Sequence, residues 1–189
     1  MEAIGTLLSA FGLAAAAGLN AYIPLLGVAL LARFTDWLRL APPYDALTHP
    51  ALIGLLILLV LIEFFADKIP AVDAVNDGIQ TFVRPAAGAI LFGAQTGAIE
   101  EIHPVLAMAC GLLIAGGVHG LKALSRRGIQ AAAPPLAPVT TPVISVLEDL
   151  ASLGLTLTAL LAAWLLLALV VLLGIWGWRR VRRARMGSA

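Results

Sequence analysis

Apolar residues gather into long blocks along the chain, at Ile4–Leu31, Pro50–Phe65, Ala86–Ile99, Pro104–Leu124 and Leu153–Trp178, separated by short polar stretches. A bilayer crossing takes about 20 apolar residues, so these blocks read as candidate membrane spans. Pro50 and Pro104 stand at block starts, where the first turn of a helix tolerates the missing N–H. The first block has no Lys or Arg before it, which predicts a retained span and not a cleaved signal. Arg33–Thr48, with Asp36, Trp37, Pro42, Pro43 and Asp45, reads as an interfacial loop. Gly128–Pro142 holds Pro134, Pro135, Pro138 and Pro142, so it is not expected to form one regular helix.

Between Pro70 and Pro85 the period changes. Val72, Val75, Ile79 and Phe82 fall at helical spacing, with Asp73, Asn76, Asp77, Gln80 and Arg84 on the other side. Such an amphipathic helix lies in the membrane interface or turns into the bundle, where Asp73 and Asp77 would face a wet cavity. Pro70 divides it from the preceding span, which ends in Glu63, Asp67 and Lys68.

Composition supports the bilayer reading, since 61% of the 189 residues are hydrophobic, 12% are charged and the mean hydropathy is +0.99. A soluble chain averages about a quarter charged residues. The expected fold is therefore all-α: a polytopic transmembrane helical bundle with five or six crossings. Residues 1–178 would form a single domain and 179–189 a basic cytoplasmic tail. Cys110 is the only cysteine, which excludes an intrachain disulfide and a multi-cysteine metal site.

Charge bears on orientation more than its net value of +1 suggests. Arg179, Arg180, Arg182, Arg183 and Arg185 follow Trp176 and Trp178, an interface followed by a cytoplasmic tail in a plasma or inner membrane. No nucleic-acid readout module accompanies these arginines. With five crossings, seven Lys and Arg lie inside against five outside; if Ile129–Leu150 crosses once as a broken segment, the count is ten against two. The positive-inside rule prefers six crossings, although Pro142–Leu150 then carries Glu148 and Asp149 at membrane depth, where polar segments need protein shielding. A re-entrant hairpin is the five-crossing alternative.

An internal repeat is suggested by Gly12-Leu13 with Gly18-Leu19-Asn20-Ala21 against Gly111-Leu112 with Gly117-Val118-His119-Gly120, giving candidate halves 1–99 and 100–178. Duplicated halves with interrupted segments mark transporters, while glycines in apolar helices also serve close packing.

The ionisable residues inside these blocks carry whatever chemistry there is, because charge within a bilayer is expensive. Glu63 and Asp67 share a helix face at i,i+4, and Lys68, Arg84 and Lys122 are candidate counter-ions. Glu63 lies about 20 Å along its helix from Pro50. Pro24 has no N–H to give the carbonyl of Asn20, so a free carbonyl and an amide stand together in the first block, either as an ion ligand or as a local cap at a kink. His119, Lys122 and Arg126 form one polar stripe, which could handle protons or simply snorkel toward the interface. The set Asn20, Glu63, Asp67, Asp73, Asp77, His119, Glu148 and Asp149 is thus the candidate ion-binding site. Its acids and His119 could also hold a hard cation. No zinc-protease pair, nucleophile elbow, phosphate loop or dinucleotide fingerprint occurs, and no cofactor is expected.

Gly18-Leu19-Asn20-Ala21-Tyr22 with Pro24, Glu63-Phe64 with Ala66-Asp67-Lys68-Ile69-Pro70 and Val72-Asp73, Thr81-Phe82 with Arg84-Pro85, Gly117 with His119 and Lys122-Ala123, and Glu148-Asp149 together span most of the chain. In these segments the protein resembles a bacterial integral-membrane family catalogued as a domain of unknown function. Gln80 departs from it, standing where such proteins often carry histidine. The resemblance implies a small multi-span protein and supplies no reaction.

The leading expectation is a small transporter or channel-like protein for a cation or proton-coupled small solute, with the bilayer as its surroundings and self-association open. Two rivals remain. One is a membrane enzyme on a lipid phosphate, with Asp73 and Asp77 holding a divalent ion; the other is a structural subunit whose ion pairs fix helix packing.

Overall fold

Prolines punctuate the chain much as their chemistry requires. In the computed structural model, which describes residues 2–67, 69–97, 102–132, 134–162, 165, 168, 171–173 and 175–176, six α-helices follow in order. They are α1 (Glu2–Leu19), α2 (Tyr22–Phe34), α3 (Pro50–Ala66), α4 (Pro70–Thr96), α5 (Pro104–Ala132) and α6 (Ala137–Leu160), with short 3-10 turns at Tyr44–Thr48 and Pro134–Leu136. Pro50, Pro70 and Pro104 each open a helix. His49 caps α3, its Nδ1 accepting from the Ala51 N–H at 3.3 Å.

Three sequence expectations change. The block Ile4–Leu31 is not one span: Asn20 Oδ1 accepts from the N–H groups of Tyr22 (3.0 Å) and Ile23 (3.1 Å), starting a new helix. The amphipathic stretch and the following apolar block, as far as Thr96, are one 27-residue helix, α4, with Pro85 inside it. The proline-rich connector is largely helical, for α5 continues to Ala132 and α6 runs from Ala137 through Pro142 to Leu160. Pro142–Leu150 is therefore part of α6 and not a separate short helix. The proposed halves also differ in build, since α1 ends at Leu19 whereas α5 runs unbroken past His119.

Neighbouring contacts fix the directions of the helices. Ala10 clusters with Ala107 and Gly18 packs on Ala115 and Val118, so α1 and α5 run parallel. Gly88 meets Gly111 and Ala115 while Arg84 meets His119, so α4 runs against α5. Asp149 bonds Asn20 while Ala159 touches Gly12, so α6 runs against α1. Gly27 lies on Thr156 and Leu160, which sends α2 back alongside α6. The chain thus reverses at Asn20. Trp37 and Leu38 line a pocket with Ala159 and Leu160, so the Arg33–Thr48 connector shares one end of the bundle with the end of α6.

Helix α1 packs against α4, α5 and α6, and its Leu13 and Ala17 join Val28, Leu91 and Ala115 in the core. Small residues permit the tightest crossing. A Cβ on Gly111 would lie 2.6 Å from Phe92 Cβ and 2.7 Å from the Gly88 carbonyl carbon. Gly111→Ala is accordingly expected to push α4 off α5 and to cost about 1–3 kcal/mol in thermal unfolding. Gly117→Ala meets nothing within 4 Å and should be neutral or stabilising by up to about 1 kcal/mol.

The bundle is apolar on the outside and charged within. Phe65, Phe82, Leu113, Leu121, Leu124, Val139 and Leu147 are exposed, whereas Glu63, Asp67, Arg84, His119, Lys122 and Arg126 are buried. Helices Pro104–Ala132 and Pro138–Leu160 are long and apolar enough to cross a membrane.

Candidate functional site

Asn20 sits where α1 stops, and its side chain explains why. By taking the Tyr22 and Ile23 N–H groups it deprives the Gly18 and Leu19 carbonyls of their helical donors, and Pro24 has none for the carbonyl of Asn20. Of these carbonyls, Leu19 accepts from Lys122 Nζ at 3.0 Å and Asn20 from Ser152 Oγ at 3.5 Å. Ser152 Oγ also bonds the Ala16 carbonyl at 3.0 Å. The Asn20 amide donates to Asp149 Oδ1 at 3.0 Å. Local cap and exposed carbonyls are thus two aspects of one arrangement.

Arg84 holds the centre. Fully buried on α4, it donates from Nη2 to Glu63 Oε1 at 3.0 Å and from Nη1 to His119 Nδ1 at 2.9 Å, with Asp77 Oδ1 at 3.9 Å. His119 Nδ1 therefore accepts, and the imidazole N–H sits on Nε2, 3.2 Å from Thr81 Oγ1. Thr81 can accept it, since its own hydroxyl donates to the Asp77 carbonyl at 2.8 Å. Glu63 Oε2 and Arg84 Nε are buried without a hydrogen-bond partner, as is Gln80 Oε1 one turn away. Tyr22 lies within electrostatic reach of Glu63, Gln80 and Arg84.

A second group of charges continues from the first through Asp77, whose Oδ2 is 3.9 Å from Arg126 Nη1. Arg126 embraces the Glu148 carboxylate with both Nε (3.0 Å) and Nη2, the fork geometry that makes Arg–carboxylate pairs strong. Lys122 Nζ stands 3.1 Å from the same carboxylate. Asp67 closes the far side, accepting from Asn76 Nδ2 at 2.6 Å.

Most of the residues singled out in sequence therefore meet. Asn20 and Asp149 form one pair, Glu63, Asp77 and His119 gather on Arg84, and Glu148 joins Lys122 to Arg126. Lys68 and the side chain of Asp73 lie outside the described residues, as do the tail arginines. Of the amphipathic stretch, Asp77 and Arg84 point into the bundle while Val72, Val75, Ile79 and Phe82 face outward, so it packs as a bundle helix; Asp77 meets Arg84 and Arg126 there. Snorkelling by Lys122 and Arg126 is likewise overturned, since both are buried and ion-paired.

Arg126, Tyr22, Thr81, Asn76 and Ser152 belong to the network although none was among the candidate site residues. Arg126 is signalled by its helical spacing from His119 and Lys122, Asn76 by its place on the polar side of the amphipathic stretch and Ser152 by its place beside Glu148 and Asp149, whereas Tyr22 and Thr81 stand out only within the segments that carry the family resemblance. Among the described residues, no three of His, Cys, Asp and Glu lie close enough to hold a metal ion. An apolar groove of about 680 Å³ lies elsewhere, lined by Ile23, Gly27, Phe34, Leu153 and Leu157 among others.

No curated protein and no solved structure matches the chain. A family model described as a domain of unknown function, DUF4126, matches residues 7–183, and the protein belongs to that family.

Proposed function

We propose that the protein is a small multi-pass transporter or channel-like protein that moves protons or another small cation, alone or coupled to a small solute. One observation carries the reading. Among the described residues, five carboxylates (buried Glu63 and Asp67, half-buried Asp77, Glu148 and Asp149) gather with three buried cationic side chains, Arg84, Lys122 and Arg126, behind helix faces that are apolar outside. An acidic surplus shielded from lipid favours a cationic ligand over an anion. The interruption at Asn20 adds freed main-chain carbonyls, the groups by which broken helices hold cations.

Helix directions bear on orientation. Arg33 and Arg39 fall at the same end of the bundle as Leu160, the last residue of α6, and residues 161–178 separate Leu160 from the five tail arginines. The sequence count for six crossings set those two residues opposite the tail. The five tail arginines by themselves favour a cytoplasmic carboxyl end under the positive-inside rule.

Purified protein in proteoliposomes is expected to carry cation-dependent proton movement, read with an enclosed pH dye. Glu63→Gln and Asp67→Asn should each abolish it. Transport indifferent to both substitutions would sink the proposal. A structural role is the second reading, favoured by the way Arg84 and Arg126 tie four helices together. It predicts no ion movement in the same vesicles.

A further inference from the structure

Three helices come together near the end of the bundle away from Asn20, and the small residues there leave a gap. Ser9 of α1, Gln95 of α4 and Ala159 of α6 line a pocket of about 160 Å³, completed by Leu31 and by Trp37 and Leu38 of the connector. Ser9 is about 16 Å from Asn20 along the axis of α1, with the buried apolar Leu13 and Ala17 between them. The pocket is thus separate from the charged network.

Gln95 is the informative part of its wall. It is 7% exposed, and its carboxamide nitrogen is buried without a hydrogen-bond partner among the described residues. A buried donor left so costs stability that a leucine at the same place would not. A ligand that accepts from it recovers that cost. Thr6 and Ser9 add hydroxyls on the same pocket, so the polar side of the wall both donates and accepts. Leu31, Leu38, Leu160 and Trp37 make the other side apolar. No ionisable side chain lines the pocket among the described residues, so a charged ligand would lose its water without gaining a partner. At ~30 Å³ for each water, the space holds about five waters, or a molecule of about five or six non-hydrogen atoms.

We propose that this pocket binds a small uncharged polyol of glycerol size, its hydroxyls toward Gln95 and Ser9 and its C–H groups toward the leucines and Trp37. Binding does not rest on the transport reading above; only a role for the polyol as the coupled solute does.

The test is saturation-transfer NMR on the purified protein in detergent, with glycerol as the probe. The signal is expected to saturate with glycerol, to be displaced by propanediol and to resist sucrose, which is too large for the pocket. Gln95→Leu should weaken binding at least about tenfold. A signal that does not saturate, that sucrose displaces, or that folded Gln95→Leu retains at wild-type strength would overturn the site. If Gln95→Leu does not fold, Trp37→Ala decides, because Trp37 is 69% exposed and outside the helices. Weaker glycerol binding by that variant supports the pocket, and unchanged binding refutes it. Glycerol binding without cation movement in vesicles would leave the pocket standing and remove the transport reading; cation movement without glycerol binding would do the reverse.

Discussion

Arg84→Ala is expected to destabilise the protein by about 3–5 kcal/mol, the penalty for removing one member of a buried ion pair. For a chain of this size the midpoint of thermal unfolding in detergent should fall by about 10 °C. The cause is not lost packing. Arg84 alone gives Glu63 a hydrogen-bonded cation, at 3.0 Å, and Glu63 Oε2 already lacks a partner. Without the guanidinium, a carboxylate that is 1% exposed must stay charged unpaired or take up a proton. His119 loses the donor on Nδ1 at the same time, so its ring is released from one of two anchors.

A double-mutant cycle separates this account from a steric one. Arg84→Ala with Glu63→Gln should recover part of the loss, because the second substitution removes the stranded charge. A coupling energy of about 1–3 kcal/mol is expected. Strict additivity would mean that the pair contributes no more than its volume. Salt should have little influence, since buried pairs are poorly screened.

Glu148→Ala is the second large effect, again about 3–5 kcal/mol, by the opposite imbalance. Glu148 lies against both Lys122 and Arg126, so its loss takes a close carboxylate from two buried cations at once, while Asp77 is 3.9 Å from Arg126. Among the described residues, the ammonium would retain its bond from Nζ to the Leu19 carbonyl. Unfolding measured in detergent should show the drop for Glu148→Ala, with most of it recovered by Glu148→Asp if the shorter carboxylate still reaches Arg126. Stability unchanged by Glu148→Ala would show that Arg126 and Lys122 find other partners and would weaken the case for Glu148 as a cation ligand.

The class of fold was legible because it depends on quantities that a sequence displays. Long apolar blocks made helices, prolines 50, 70 and 104 opened them, and the Val72, Val75, Ile79 and Phe82 stripe gave the outward face of α4. Helix ends were less legible. The run Ile4–Leu31 shows no break in hydropathy, and what divides it is one amide capping two N–H groups. Proline was over-read in the other direction: Pro85 and Pro142 sit inside α4 and α6, where neighbouring helices hold the chain helical despite the lost bonds.

The site divides along the same line. Sequence alone determined which charges the chain places in apolar surroundings, since a bilayer-like composition makes each such residue costly and therefore conspicuous. It also determined that Pro24 leaves the Asn20 carbonyl without its helical donor. Tertiary structure alone decided the partners: Glu63 with Arg84 across 21 positions, Arg126 with Glu148 across 22, and Asn20 with Asp149 across 129. Ion pairing depends on distances of a few ångströms between helices, and helical periodicity records only which face a residue occupies, not which helix that face meets.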